Sequence, residues 1–104
     1  MAWILLFFAG VFEVIWAFAM KQSEGFTRLN SSIITIVGMI ASIVLLSISM
    51  RSLPLGTAYT IWTGIGAVGA FIVGILILGE PTNLIRIIAA GFIIIGILMM
   101  KLAS

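Results

Sequence analysis

Charge is what partitions this chain. No charged residue occurs in residues 29–50, 52–79 or 87–100, and residues 2–20 hold only one, Glu13. Each window can hold a membrane helix, because ~20 residues at ~1.5 Å rise cross the ~30 Å hydrocarbon core. The chain has 104 residues, 63% hydrophobic and 8% charged, and a soluble domain could not cover that apolar surface with so few charges. Its solvent is lipid.

The spacing predicts an all-α membrane protein with helices at residues 2–21, 30–50, 54–78 and 84–102, forming one four-helix transmembrane domain over residues 1–104. The connections are short, so neighbouring helices run antiparallel and pack as a small bundle. Asn30 or Ser31 is expected to cap the second helix, and Pro54 suits the first turn of the third. Gly79-Glu80-Pro81-Thr82-Asn83 ends the third helix and offers a cap to the fourth. Ala17-Phe18-Ala19 has the small-x-small look of a signal cleavage site. No Lys or Arg precedes it, however, and Glu13 interrupts the apolar run, so the first helix is read as retained.

Composition also excludes. The net charge of +2 comes from basic residues at membrane interfaces, which argues against nucleic acid as a partner. Without cysteine or histidine, neither disulfide, thiolate nor imidazole chemistry is open, and neither a metal site nor a cofactor is expected.

Orientation is nearly unbiased. An even number of spans puts both termini on one side, with Arg51 and Lys101; the other side holds Lys21, Arg28 and Arg86. Two against three leaves the positive-inside rule little to act on. The expectation is dual topology, with copies inserted both ways and paired as antiparallel homodimers. Such a pair would build the inverted repeat of alternating access from identical chains. The fourth helix, with Ala89, Ala90, Gly91 and Gly96, suits the contact.

Glu13 falls only ~3 Å from the middle of its span. A carboxyl at that depth costs roughly 2.5–3.5 kcal/mol on insertion scales, so the default reading is a proton or cation site. Gly10, one turn before it, leaves space beside the acid, and Trp16, one turn after, lies too deep for an interfacial belt. On the second helix Thr35, Met39, Ser42, Leu46 and Ser49 form a stripe. Ser42 is mid-membrane and is expected to hydrogen-bond Glu13. On the third helix Tyr59 and Trp62 share a face, and Gly64-Ile65-Gly66 is a natural kink or hinge. One carboxylate, two indoles, a phenol and a hydroxyl make a site for an organic cation. A planar guanidinium suits it well, donating paired hydrogen bonds and stacking on indole.

The whole chain resembles the small multidrug resistance family of bacterial inner-membrane exporters. The resemblance is carried by Glu13, by Lys21-Gln22-Ser23-Glu24-Gly25-Phe26-Thr27-Arg28, and by Pro54-Leu55-Gly56-Thr57-Ala58-Tyr59-Thr60-Ile61-Trp62-Thr63-Gly64-Ile65-Gly66. It implies multi-pass subunits working as antiparallel dimers that exchange protons for cations. Trp16, with no aromatic at Met39, resembles the guanidinium-exporter subtype. By resemblance Glu13, Trp16, Ser42, Tyr59 and Trp62 hold substrate and proton, and Met39 and Ile43 lie near a lateral opening between copies of the second helix.

The expected activity is therefore antiport and not enzymatic. Proton and guanidinium compete for a pair of Glu13 carboxyls. The nearest alternative is a promiscuous exporter of quaternary ammonium and polyaromatic cations. A proton-conducting rotor subunit would have two spans where this chain has four, and an anion channel would not want a central carboxylate.

Overall fold

A computed structural model describes residues 1–103. Its helices are α1 (Ala2–Gln22), α2 (Leu29–Ser49), α3 (Leu55–Leu76) and α4 (Leu84–Leu102). All four are long and apolar enough to cross a membrane.

The helix ends follow from local backbone chemistry. After α1 the chain reverses around Ser23, which is fully buried. Its hydroxyl donates to the Met20 carbonyl at 2.7 Å and accepts the Phe26 N–H at 3.0 Å. Its own carbonyl accepts the N–H groups of Thr27 (2.8 Å) and Arg28 (3.1 Å). Glu24, Gly25 and Phe26 are consecutive left-handed residues, with φ of 50°, 75° and 66°. This tight reversal starts α2 at Leu29, so Asn30 and Ser31 fall inside its first turn. Arg28 is the N-cap, without a side-chain cap bond, in place of the expected Asn30 or Ser31.

Pro54 likewise stands just before α3, as its N-cap, rather than within the first turn, and its carbonyl accepts the Ala58 N–H at 3.0 Å. The helix stops at Leu76, earlier than the sequence suggested. Gly79 turns left-handed at φ 68°, and the Glu80 N–H reaches back to the Gly74 carbonyl at 2.9 Å. Asn83 caps α4 by accepting the Arg86 N–H at 3.0 Å.

The four helices of the expected small bundle stand in a row. α1 packs along both α2 and α3, and α3 packs along α4. α2 meets α3 only briefly, and α4 backbone approaches neither α1 nor α2. The Cα envelope of 41 × 34 × 16 Å agrees: four helices abreast at ~8–10 Å spacing, one helix tall, little more than one helix thick. The physical reason is the solvent. Lipid is as apolar as leucine, so no hydrophobic force closes the ring, and helices meet where small residues let them approach.

The core is accordingly small: Leu6 and Ala9 of α1, Leu46 of α2, and Ala58 and Ile61 of α3. α4 has no buried residue, though Ile97 and Met100 reach that cluster. Lys101 Nζ lies over the Trp3 ring, 5.5 Å from its centre, linking the two helices across the end of α3.

Candidate cation-binding site

Glycines set the approach of the helices around Glu13. The carboxylate lies against α3 at Gly66, where a Cβ would overlap it. One turn earlier Gly10 admits the Ile65 side chain, with Cγ2 only 2.5 Å from where a Cβ would stand. Gly69 similarly admits Val14. On the other side of α1, Gly38 of α2 leaves 3.0 Å between a notional Cβ and the Trp16 Cβ. Gly64 faces away from Glu13, receiving Ile97 and Ile93 of α4. The two glycines of Gly64-Ile65-Gly66 therefore serve opposite neighbours, and α3 runs through them as unbroken α-helix.

A hydrogen-bonded relay lies one turn from the acid. The Trp62 indole Nε1–H donates to Ser42 Oγ at 2.9 Å, and the Ser42 hydroxyl donates to the Ala9 carbonyl at 2.6 Å. Ala9 is four residues before Glu13, so its carbonyl is also the helix acceptor for the Glu13 N–H. The expected bond from Ser42 to the Glu13 carboxylate is not formed, because the serine proton is committed to this carbonyl. Nor does Ser42 bond its own preceding turn, as Thr35 does to Ser31 (2.7 Å) and Ser49 to Leu45 (2.9 Å). Ser42 instead ties α2 and α3 to α1.

Tyr59 meets the relay through its ring, packed edge-on against Trp62 with centroids 5.3 Å apart and planes at 61°. It is 51% exposed and lines a groove of ≈ 520 Å³ between α3 and α4. Among the described residues no hydrogen bond joins its hydroxyl to Glu13. On α2, Met39 is half-buried and Ile43 exposed, at the outer edge of the row.

Two buried polar atoms have no hydrogen-bond partner among the described residues: Glu13 Oε2 and Trp16 Nε1. Unpaired polar atoms away from water are expensive, and each needs a functional account. A free carboxylate oxygen can accept a proton or the N–H donors of a cation; the indoles stand apart from it, Trp16 on the α2 side of α1 and Trp62 held by Ser42.

Sequence reasoning missed Gly38 and the Ala9 carbonyl. Gly38 was accessible, since it sits four residues before Ser42 and three after Thr35, on the buried face of α2. The carbonyl was not, because nothing in a sequence says which backbone oxygen a serine will choose.

The family model described as Small Multidrug Resistance protein matches residues 1–95. The chain belongs to the small multidrug resistance family. Among curated members of that family, the Guanidinium exporter of Yersinia pseudotuberculosis (serotype I, strain IP32953) is 59% identical over 104 residues, the full length of both chains. The Guanidinium exporter of Citrobacter freundii is 56% identical over all of this chain and 99% of its own, and that of Proteus vulgaris 54% over both full lengths. The four apolar spans and this family membership make the chain a multi-pass membrane transport protein.

Proposed function

We propose that this protein exports guanidinium, and small or singly substituted guanidinium-type cations, from bacteria in exchange for protons across the inner membrane. The observation that carries the reading is the unpartnered Glu13 oxygen held mid-span against Gly66, with the equally unpartnered Trp16 one turn away. The exporter names of relatives up to 59% identical supply the cargo.

The working unit is an antiparallel homodimer of copies inserted both ways, with α4 and its small residues at the contact. Each subunit contributes one Glu13 to a shared site. A guanidinium cation carries planar N–H donors that match a carboxylate edge, and its flat face suits Trp16 and Trp62. A protonated carboxyl cannot make that pairing, so proton and cation exclude one another from the same oxygens. Cytoplasmic guanidinium displaces protons, the dimer exchanges its open face, and external protons displace guanidinium. Mutual exclusion alone couples the two fluxes. Trp62 holds Ser42, and Ser42 holds the α1 backbone that carries the acid. Met39 and Ile43, at the outer edge of the row, border a lateral opening for hydrophobic substituents. The glycines of α3 serve as the hinge.

The test is guanidinium uptake by purified protein in liposomes under an imposed pH gradient. The wild type should concentrate guanidinium into the acidic compartment, and Glu13→Gln should abolish it. Residual pH-driven uptake by Glu13→Gln overturns the mechanism. Transport of tetraalkylammonium as fast as guanidinium would instead favour the multidrug reading.

A further inference from the structure

A second carboxylate stands outside the Glu13 site, at the end of the cleft between α1 and α3. The backbone turn at Gly79 and the Glu80 N–H bond to the Gly74 carbonyl fold the chain back over the last turns of α3. The Glu80 carboxylate is thereby laid against Gly74, in the space a Cβ would fill. It lines a cavity of ≈ 180 Å³ with Lys21, Phe18, Ala70 and Val73. That cavity reaches inward to Val14, the residue after Glu13.

Two charges of opposite sign, Glu80 and Lys21, line this cavity without forming an ion pair. The C-terminal end of a helix carries partial negative charge, so an acid there is disfavoured unless a cation is near. Lys21 is in the last turn of α1, where it offsets that helix's own dipole. Among the described residues, the exposed Glu80 carboxylate has neither an ion pair nor a hydrogen bond, whereas Glu24, in the loop between α1 and α2, is paired with Arg28 at 3.0 Å. A glycine-cradled acid at the negative end of a helix, opening on a cavity whose inner end is lined by Val14, is a place where a small cation would stop.

We infer that Glu80 and the α1–α3 cleft form an entry station for guanidinium-type cations, which Lys21 opposes as a competing cation. This rests on the proposed export of guanidinium. In an antiparallel pair one such station would stand at each membrane face, so entry and exit would meet the same chemistry. The station raises the local concentration of cargo and takes no part in proton exchange. Its effect is on capture, and screening by salt removes it.

The experiment measures guanidinium transport against concentration in liposomes for wild type, Glu80→Gln and Lys21→Gln, at about 0.01 M and about 1 M ionic strength. Expected at low salt is a KM about threefold or more higher for Glu80→Gln and lower for Lys21→Gln, with maximal rates within about twofold of wild type. The three curves should converge at high salt. A disturbed fold would not move the two variants in opposite directions. If Glu80→Gln does not yield folded protein, Lys21→Gln decides alone, and an unchanged or raised KM overturns the station. Equal KM values in wild type and Glu80→Gln at low salt, or a difference that salt leaves intact, also overturn it while leaving the exporter reading in place. Absence of guanidinium transport by wild type overturns both.

Discussion

The Glu13 carboxylate occupies the space that a side chain at residue 66 would take. Gly66→Ala must therefore push the acid aside or drive α1 and α3 apart. Overpacking of this kind costs about 1–3 kcal/mol. The expectation is a folded protein that elutes normally in detergent, with guanidinium uptake reduced about tenfold or more. Wild-type uptake by Gly66→Ala would mean the carboxylate is placed by something else.

Trp62, Ser42 and the Ala9 carbonyl act as one unit, so their variants should not add. Ser42→Ala leaves the half-buried indole N–H without its serine partner and releases the Ala9 carbonyl, a loss of about 1 kcal/mol. Trp62→Phe removes the indole donor and part of the aromatic face. In the double variant the orphaned donor is gone, and guanidinium affinity should fall by less than the sum of the single losses. Isothermal titration of all four proteins gives the coupling, and strict additivity would dissolve the relay.

The proposed competition fixes the sign of the pH dependence. A proton on Glu13 removes the acceptor that the cation needs, so apparent guanidinium affinity should weaken as pH falls, about tenfold per pH unit at most for one displaced proton. Equilibrium binding at a series of pH values checks this. Affinity that is flat with pH, or rises in acid, removes the coupling.

Gly38→Ala should act more gently than Gly66→Ala. The added methyl meets the Trp16 Cβ at a distance a small helix shift can relieve. Binding should weaken by about threefold or less, with unfolding in detergent shifted by about 1 kcal/mol. A loss as large as that at Gly66 would show that the α1–α2 spacing, and not the carboxylate cradle, limits the site.

Loop chemistry predicts a contrast in stability. Asn83→Ala deletes the α4 cap and should cost about 1 kcal/mol in reversible unfolding. Glu24→Gln deletes an exposed ion pair and should cost well under that.

The spans were legible because lipid enforces them: a charge-free stretch of the right length has few other uses. Observed helix limits lie within two residues of those read from charge spacing. Glu13 and the aromatic face of α3 were legible for the same reason, being costly or conspicuous in an apolar chain. The order of helices in the row was not, since short loops allow a ring as readily as a line. Ser42 illustrates the limit at the site. Its depth and face were readable, but a hydroxyl chooses among acceptors by a few tenths of an ångström, and here it chose Ala9. Gly64 and Gly66 looked like a joint in α3, while each also makes room for a different neighbour. Periodicity places both residues without naming what fills the space.

A row of four helices one helix thick has two broad faces and almost no interior. In the proposed antiparallel pair, the second copy supplies the layer that such a wall lacks. Diluting the protein with lipid should therefore weaken cargo binding by mass action, as the copies of the proposed pair separate. Protein-to-lipid ratio then becomes a chemical variable, setting affinity as directly as any side chain on α1.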